Sequence, residues 1–228
     1  MIGLPHAGLA QTVGASALGP IGLKTRTLEV RLRVGPDGRL YQDPIGAKPA
    51  GEKRREDECY PQAGDGYVWE PALQVVHADG NTSTALVFEG VTQTNQTADI
   101  CLTRIGLHDP AYPFTVALCF KTHLDVDVLE EWTEVRHQEG GPVSVQRVAA
   151  SSLLLAGNVY LTHFFGDWAK EMLEPITEQI TPGTKVLDSK LGVRASQFRN
   201  PSFLLSPGAK AHPTARRWSR YRPQRYAV

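Results

Sequence analysis

The sequence predicts an all-β fold, an antiparallel β-sandwich with at most one short helix. Three observations point there. About ten stretches either alternate apolar and polar residues or run as short apolar blocks, at spacings of roughly 8–15 residues, with turn residues between them. Glycine (21) and proline (16) are plentiful, which favours turns over long helices. A helical pattern is confined to Asp167–Glu178, where Pro175 cuts it short. Strands without intervening helices cannot make parallel crossovers, so the sheets are antiparallel.

The elements follow in chain order. Leu28–Val34 alternates apolar and charged residues, the mark of a strand with one wet face. Gly35-Pro36-Asp37-Gly38 turns the chain and Arg39–Gln42 returns as the second strand of a hairpin. Residues 43–66 read as a polar loop whose charge run, Glu52–Glu58, is solvated surface. Leu73–His77 and Thr84–Glu89 read as strands joined by a tight hairpin at Asp79-Gly80. Cys101–Leu107 and Phe114–Lys121 alternate again. Val126–Arg136 and Val143–Val148 are expected to pair across Glu139-Gly140-Gly141-Pro142. Further on, Thr181-Pro182-Gly183 is a turn, Lys185–Leu187 a strand, and Asp188–Gly192 a corner. Asn200-Pro201 breaks the chain before a last strand, Ser202–Leu205.

Composition bounds the class. The 228 residues suffice for a sizeable core, and 41% hydrophobic with 21% charged residues is ordinary for a globular domain. The net charge of zero hides an asymmetry: residues after Ser206 hold six basic side chains and no acidic one, leaving 18 basic against 24 acidic before them. Residues 1–22 read as a disordered leader, 23–206 as the sandwich, and 207–228 as a disordered basic tail. No segment is long and apolar enough to make a membrane-spanning helix.

The chemistry-bearing residues give no catalytic constellation. Glu130, Glu131 and Glu134 lie close together, but neighbours in a strand point to opposite faces. His77 with Asp79, His108 with Asp109, and His123 with Asp125 and Asp127 each offer half of a metal site; they read better as turn caps. Cys59, Cys101 and Cys119 have no zinc spacing. No phosphate loop, dinucleotide fingerprint or nucleophile elbow occurs, so no metal or other cofactor is expected. Trp69, Trp132, Trp168 and Tyr160 could stack on sugars, with a core position preferred for each. The sequons at Asn81 and Asn95 are given no role.

The stretch Tyr160–Leu205 carries the most specific signal. It holds a Gly-x-Trp-x-x-Glu element (Gly166, Trp168, Glu171), then Ser189, Gly192, Ala195, Asn200 and Pro201 in a spaced run. Tyr60-Pro61, Glu70-Pro71-Ala72, His77-Ala78-Asp79-Gly80-Asn81, Asp109-Pro110, Tyr112-Pro113-Phe114 and Glu131-Trp132-Thr133-Glu134 precede it in order. Together, over roughly Leu23–Ser206, these resemble the N-terminal domain of bacterial α-galactosidases of glycoside hydrolase family 36.

The resemblance implies a β-supersandwich, galactose-mutarotase-like. In the family it is followed by a (β/α)8 barrel that carries the two catalytic aspartates of a retaining hydrolysis of terminal α-galactosides such as melibiose and raffinose. None of those catalytic positions is expected in these residues, so this chain alone is expected to be inactive. A supporting role for the barrel and for a homo-oligomer follows, with Gly166, Trp168, Arg194, Asn200 and Pro201 shaping the domain interface. A free-standing carbohydrate-binding module is the alternative. The basic tail reads as out-of-frame translation in preference to a nucleic-acid-binding arm, and no membrane partner is expected. The compartment stays open between cytoplasm and periplasm.

Overall fold

The computed structural model describes residues 11–13, 19–45, 57–64, 66–155, 158–167, 169–170, 174–181, 185–188, 199–206 and 218–220. They form an antiparallel β-sandwich fold with no helix among them. Fifteen strands, β1 to β15, fall into two compact units, β1–β11 in the first and β12–β15 in the second.

The first unit contains a five-stranded sheet. Its body is the meander β7 (Val87–Asn95), β8 (Ile100–His108), β9 (Phe114–His123) and β10 (Val128–His137), and β1 (Gln11–Val13) pairs with the outer edge of β7. A second sheet joins β2 (Ile21–Lys24), β3 (Glu29–Val34), β4 (Leu40–Gln42) and β5 (Asp57–Glu58) in chain order. Val30, Leu32, Ile105, Leu107, Phe114 and Val116 alternate with wetter neighbours and are buried, which is the period-two pattern read from the sequence.

Two connections bind these sheets to each other. At one, the β3–β4 turn closes through Gly35 N–H to Arg39 O (2.8 Å), and Gly38, at φ 80°, offers its carbonyl to Phe88 N–H (2.8 Å). At the other, Asp127 in the β9–β10 turn adopts φ 56° and accepts hydrogen bonds from Thr25 Oγ1, Thr27 Oγ1 and, at 3.0 Å, Thr27 N–H. Those hydroxyls and that N–H hold the Asp127 carboxyl well below the usual carboxylate range. Asp127→Ala removes the acceptors while keeping an unfavourable backbone for a Cβ. It is expected to lower the thermal midpoint more than Asp127→Asn, which tolerates the left-handed region; equal midpoints for wild type and Asp127→Ala would refute the clip.

The expected hairpins differ in partner. β6 (Leu73–Val76) pairs with β11 (Ser144–Val148), not with the chain after Asp79-Gly80, and β10 pairs with β9, not with β11. The tight turn does form, with His77 N–H to Asn81 O at 2.8 Å and Gly80 at φ 87°. Beyond it, though, the backbone N–H groups are taken elsewhere: Thr84 by Ala63 O, Ala85 by Asp109 Oδ2 (2.9 Å) and Leu86 by Gln62 Oε1 (2.9 Å). A strand whose donors are spent this way cannot fold back on β6. Similarly, Glu139 accepts the Ala78 N–H (2.8 Å) and so carries the chain after β10 across to β6.

The second unit is one four-stranded sheet in the order β13 (Glu174–Gln179), β12 (Tyr160–Phe165), β14 (Arg199–Ser206), β15 (Trp218–Arg220). Three expectations are corrected here. Residues 174–178 are strand instead of helix; β13 pairs only with β12, and an edge strand accommodates Pro175. Lys185–Leu187 is not a strand, and Lys185 Nζ instead lies 2.8 Å from Glu178. Asn200-Pro201 lies inside β14, where the ladder to β12 is interrupted opposite Phe164 and needs no proline N–H. Within the stretches read as leader and tail, Gln11–Val13, the first residues of β2, and Trp218–Arg220 are strands, each completing hydrogen bonds on an existing edge. The charge run likewise ends in structure, since Asp57 and Glu58 pair with β4 and Glu58 meets Arg39 at 3.4 Å.

Candidate functional site

Two of the quoted motifs, His77–Asn81 and Tyr112–Phe114, meet in one place. The His77 side chain is completely buried (0% exposed) and Glu139 nearly so (4%), with His77 Nδ1 2.8 Å from Glu139 Oε1. His77 Nε2 lies 3.0 Å from Thr84 Oγ1. The Tyr112 ring stacks on the imidazole at 3.8 Å and 9°, and Phe114 meets it edge-on at 5.5 Å. Tyr112 donates its hydroxyl proton to Asp79 Oδ2 and accepts from Asn81 Nδ2, both at 2.8 Å. Burial opposes ionisation of Glu139, but the Ala78 N–H and His77 outweigh it and hold its carboxyl below the ordinary value.

Neighbouring motifs extend this network. Asp109, buried, accepts from Ala85 N–H and, at 2.8 Å, from Ala111 N–H. Gln62 accepts from Leu86 N–H and donates to Tyr60 O, while Tyr60 donates to Ala149 O at 2.8 Å. Each of these groups is bonded to backbone or to another member of the network: His77 and Asp109 are buried, while Asp79 and Asn81 make their bonds at the exposed surface. Such an arrangement fixes loops.

The three glutamates of β10 are divided among separate partners. Glu130 bonds His123 (2.7 Å), Glu134 bonds Arg104 (2.8 Å), and Glu131, on the opposite face, bonds Ser151 Oγ (2.5 Å). The His–Asp pairs part in the same way: Asp79 and Asp109 cap loops, and Asp127 clips Thr25 and Thr27. Among the described residues, no three His, Cys, Asp or Glu side chains converge as metal ligands. Trp132 is half-buried beside Glu134, whereas Trp69, for which a core position was preferred, is 61% exposed because it stands in an irregular segment between β5 and β6.

Of the five residues expected to shape an interface, Trp168 and Arg194 lie outside the described residues, as do Glu171, Ser189, Gly192 and Ala195. Gly166 follows β12 directly, in front of a turn closed by Lys170 N–H to Asp167 O at 2.8 Å. Pairing of Phe165 with Arg199 brings Gly166 and the Asn200-Pro201 pair to the same end of the second unit's sheet. The sequence did not single out His163, which is buried in that sheet with Nε2 2.9 Å from Glu178, nor Glu139; neither stands in a recognisable motif.

Comparison with known proteins places this geometry. A family model described as the glycosyl hydrolase family 36 N-terminal domain matches residues 35–215. No curated protein matches the sequence. Among solved structures, the galactosidase domain of the α-galactosidase-sucrose kinase AgaSK aligns at TM-score 0.70 and 19% identity, over 81% of this chain and 31% of that one. The α-galactosidase from Lactobacillus brevis aligns at 0.70 and 18%, over 86% and 32%. The α-galactosidase AgaB from Geobacillus stearothermophilus aligns at 0.73 and 15%, again over 86% and 32%. This chain spans about a third of the length of those structures (31–32%), and at such identities the likeness is one of fold.

Proposed function

The chain belongs to the glycosyl hydrolase family 36 N-terminal domain family, and we propose that it serves as the supporting β-domain of a retaining α-galactosidase. In this reading, hydrolysis of terminal α-galactosyl residues belongs to a longer protein, and this domain braces the catalytic barrel and a homo-oligomer. The observation that supports it is the family match over residues 35–215, together with the network in which His77, Asp79, Asp109 and Tyr112 hold loops in place. The end of the sheet at Gly166, Asn200 and Pro201 is the proposed interface corner; Trp168 and Arg194, assigned to the same interface from the sequence, lie outside the described residues. This reading includes no nucleic-acid or membrane partner. Among the described residues no helix is long and apolar enough to cross a bilayer.

The test is turnover. The purified chain is expected to release no nitrophenol from 4-nitrophenyl α-galactoside above the rate of a mock preparation. Turnover that tracks the chain through a second purification step would overturn the assignment. A carbohydrate-binding role for the chain by itself is favoured by one feature, the half-buried Trp132 beside the Arg104–Glu134 ion pair.

A further inference from the structure

The outer edge of a sheet carries backbone N–H and C=O groups that a further strand can take up, and proteins blunt such edges with short strands, prolines or bulges. Most edges in this fold are blunted. β1, β2, β5, β6 and β15 have at most four residues each, β13 carries Pro175, and β11 is broken by a bulge between Val145 and Arg147. β10 differs. It runs for ten residues, holds no proline or glycine, keeps an unbroken register with β9, and pairs with no other strand among the described residues.

Its side chains are those of a strand covered on one side only. On the inner face Val116 of β9 is buried, whereas Val135, directly opposite on β10, is half-buried, as is Leu129 on the same face. On the outer face stand Glu130, Trp132, Glu134 and Arg136, the last with its side chain 66% exposed. The strap that follows β11 meets β10 through side chains, Thr133 Oγ1 to Ala150 O and Ser151 Oγ to Glu131. Among the described residues, no backbone group outside β9 bonds the backbone of β10.

The order of charges along β10 selects what fits there. When two copies of one strand pair antiparallel about a two-fold axis, opposite residues share a face, so the axis passes through a residue. An axis at Glu131 or at Glu134 sets that glutamate against its own copy, and an axis at Trp132 sets Glu130 against Glu134. An axis at Thr133 instead sets Glu130 opposite Arg136 twice over, with Trp132 opposite Glu134 and Glu131 opposite Val135. Of these four central registers it is the one that opposes unlike charges and no like ones.

We propose that two copies of this chain dimerise through β10, paired antiparallel in the register centred on Thr133, so that two five-stranded sheets become one of ten. Each copy contributes β10 once, and the association therefore closes at two. This deepens the homo-oligomer of the reading above and does not depend on hydrolysis by a longer protein.

The test is sedimentation velocity of the 228-residue chain from about 1 to 500 μM, with amide exchange followed over the same range. A monomer–dimer equilibrium with Kd of about 10–100 μM is expected, with exchange at residues 129–137 slowing as the dimer fills. Arg136→Glu and Glu130→Arg each place like charges opposite one another twice, and each should weaken the dimer about tenfold or more. An equal mixture of the two variants should regain it, because the mixed dimer brings unlike charges together at both positions. Arg147→Glu, on the bulged edge of β11, should leave Kd unchanged. A chain that stays monomeric over the whole range overturns the proposal, as do charge reversals that mixing does not rescue. A dimer that survives both reversals also overturns it, while leaving the homo-oligomer to another surface.

Discussion

His77→Ala should destabilise the first unit by about 3–5 kcal/mol, enough to threaten folding of a domain whose total stability is of order 5–15 kcal/mol. The imidazole is the one group that touches both Glu139 and Thr84 while filling the space between Tyr112 and Phe114. Removing it leaves Glu139 nearly buried with only the Ala78 N–H, orphans the Thr84 hydroxyl, and opens a cavity under Tyr112. Each of these costs free energy for a separate reason: an uncompensated charge, an unmade hydrogen bond, and lost packing. Urea unfolding of wild type, His77→Ala, Glu139→Gln and the double variant measures it. The cycle should give a coupling of about 0.5–3 kcal/mol, because the two side chains share one contact. A loss under about 1 kcal/mol for His77→Ala would mean that the motif loops are held by something other than this network.

The network also shows where sequence reasoning reached and where it stopped. The β3–β4 hairpin, β8 and β9 were legible because each alternates with period two and is bounded by Gly, Pro or Asp. The partners of β6, β10 and β11 were not. Two good local turns, at Asp79-Gly80 and at Gly140-Gly141, both precede chain that goes elsewhere, drawn off by Asp109, Gln62 and Glu139 over long sequence separations. Local turn chemistry says that the chain reverses, and side-chain acceptors decide what it then pairs with. Residues 174–178 were misread for a related reason: a proline that ends a helix is tolerated on a sheet edge, and the sequence does not say which strand will be an edge.

At the candidate site the same limit applies. His77, Asp79, Asp109 and Tyr112 stood out because they lie in motifs, yet Glu139, which organises them, sits in an unremarkable Gln-Glu-Gly-Gly stretch. Gly90, Gly106 and Ala117 are far apart in sequence and form a row only through register, which a one-residue slip would destroy. Trp132 was noticed as an aromatic, but Arg104, which pairs with the Glu134 that Trp132 bonds, arrives from β8, two strands away.

Glu131 supplies the second large effect, and it is one of pH. Its carboxyl sits on the opposite face of β10 from Glu130 and Glu134, near Cys59, with the Ser151 hydroxyl as its hydrogen-bond partner. Burial pushes its pKa up from 4.5 to about 7, and the Ser151 hydroxyl offsets only part of that. Between those two values the folded state binds a proton that the unfolded chain releases. The stability this contributes is complete below pH 4.5 and is lost as the pH rises through about 7. Glu131→Gln keeps the shape and a donor–acceptor group but never ionises. It should match wild type near pH 4.5 and exceed it by about 1–3 kcal/mol at pH 8, with the two stability curves separating across the intervening range. Urea midpoints taken in half-unit steps of pH would show this directly, and curves that run parallel would mean that the folded chain leaves the Glu131 carboxylate adequately solvated. The cost falls on the strap Ala149-Ala150-Ser151, which is held by Tyr60, Thr133 and Glu131. Ionisation of Glu131 at alkaline pH therefore loosens the attachment of that strap to β10 before it touches the His77 network, and amide exchange at residues 149–151 should rise first.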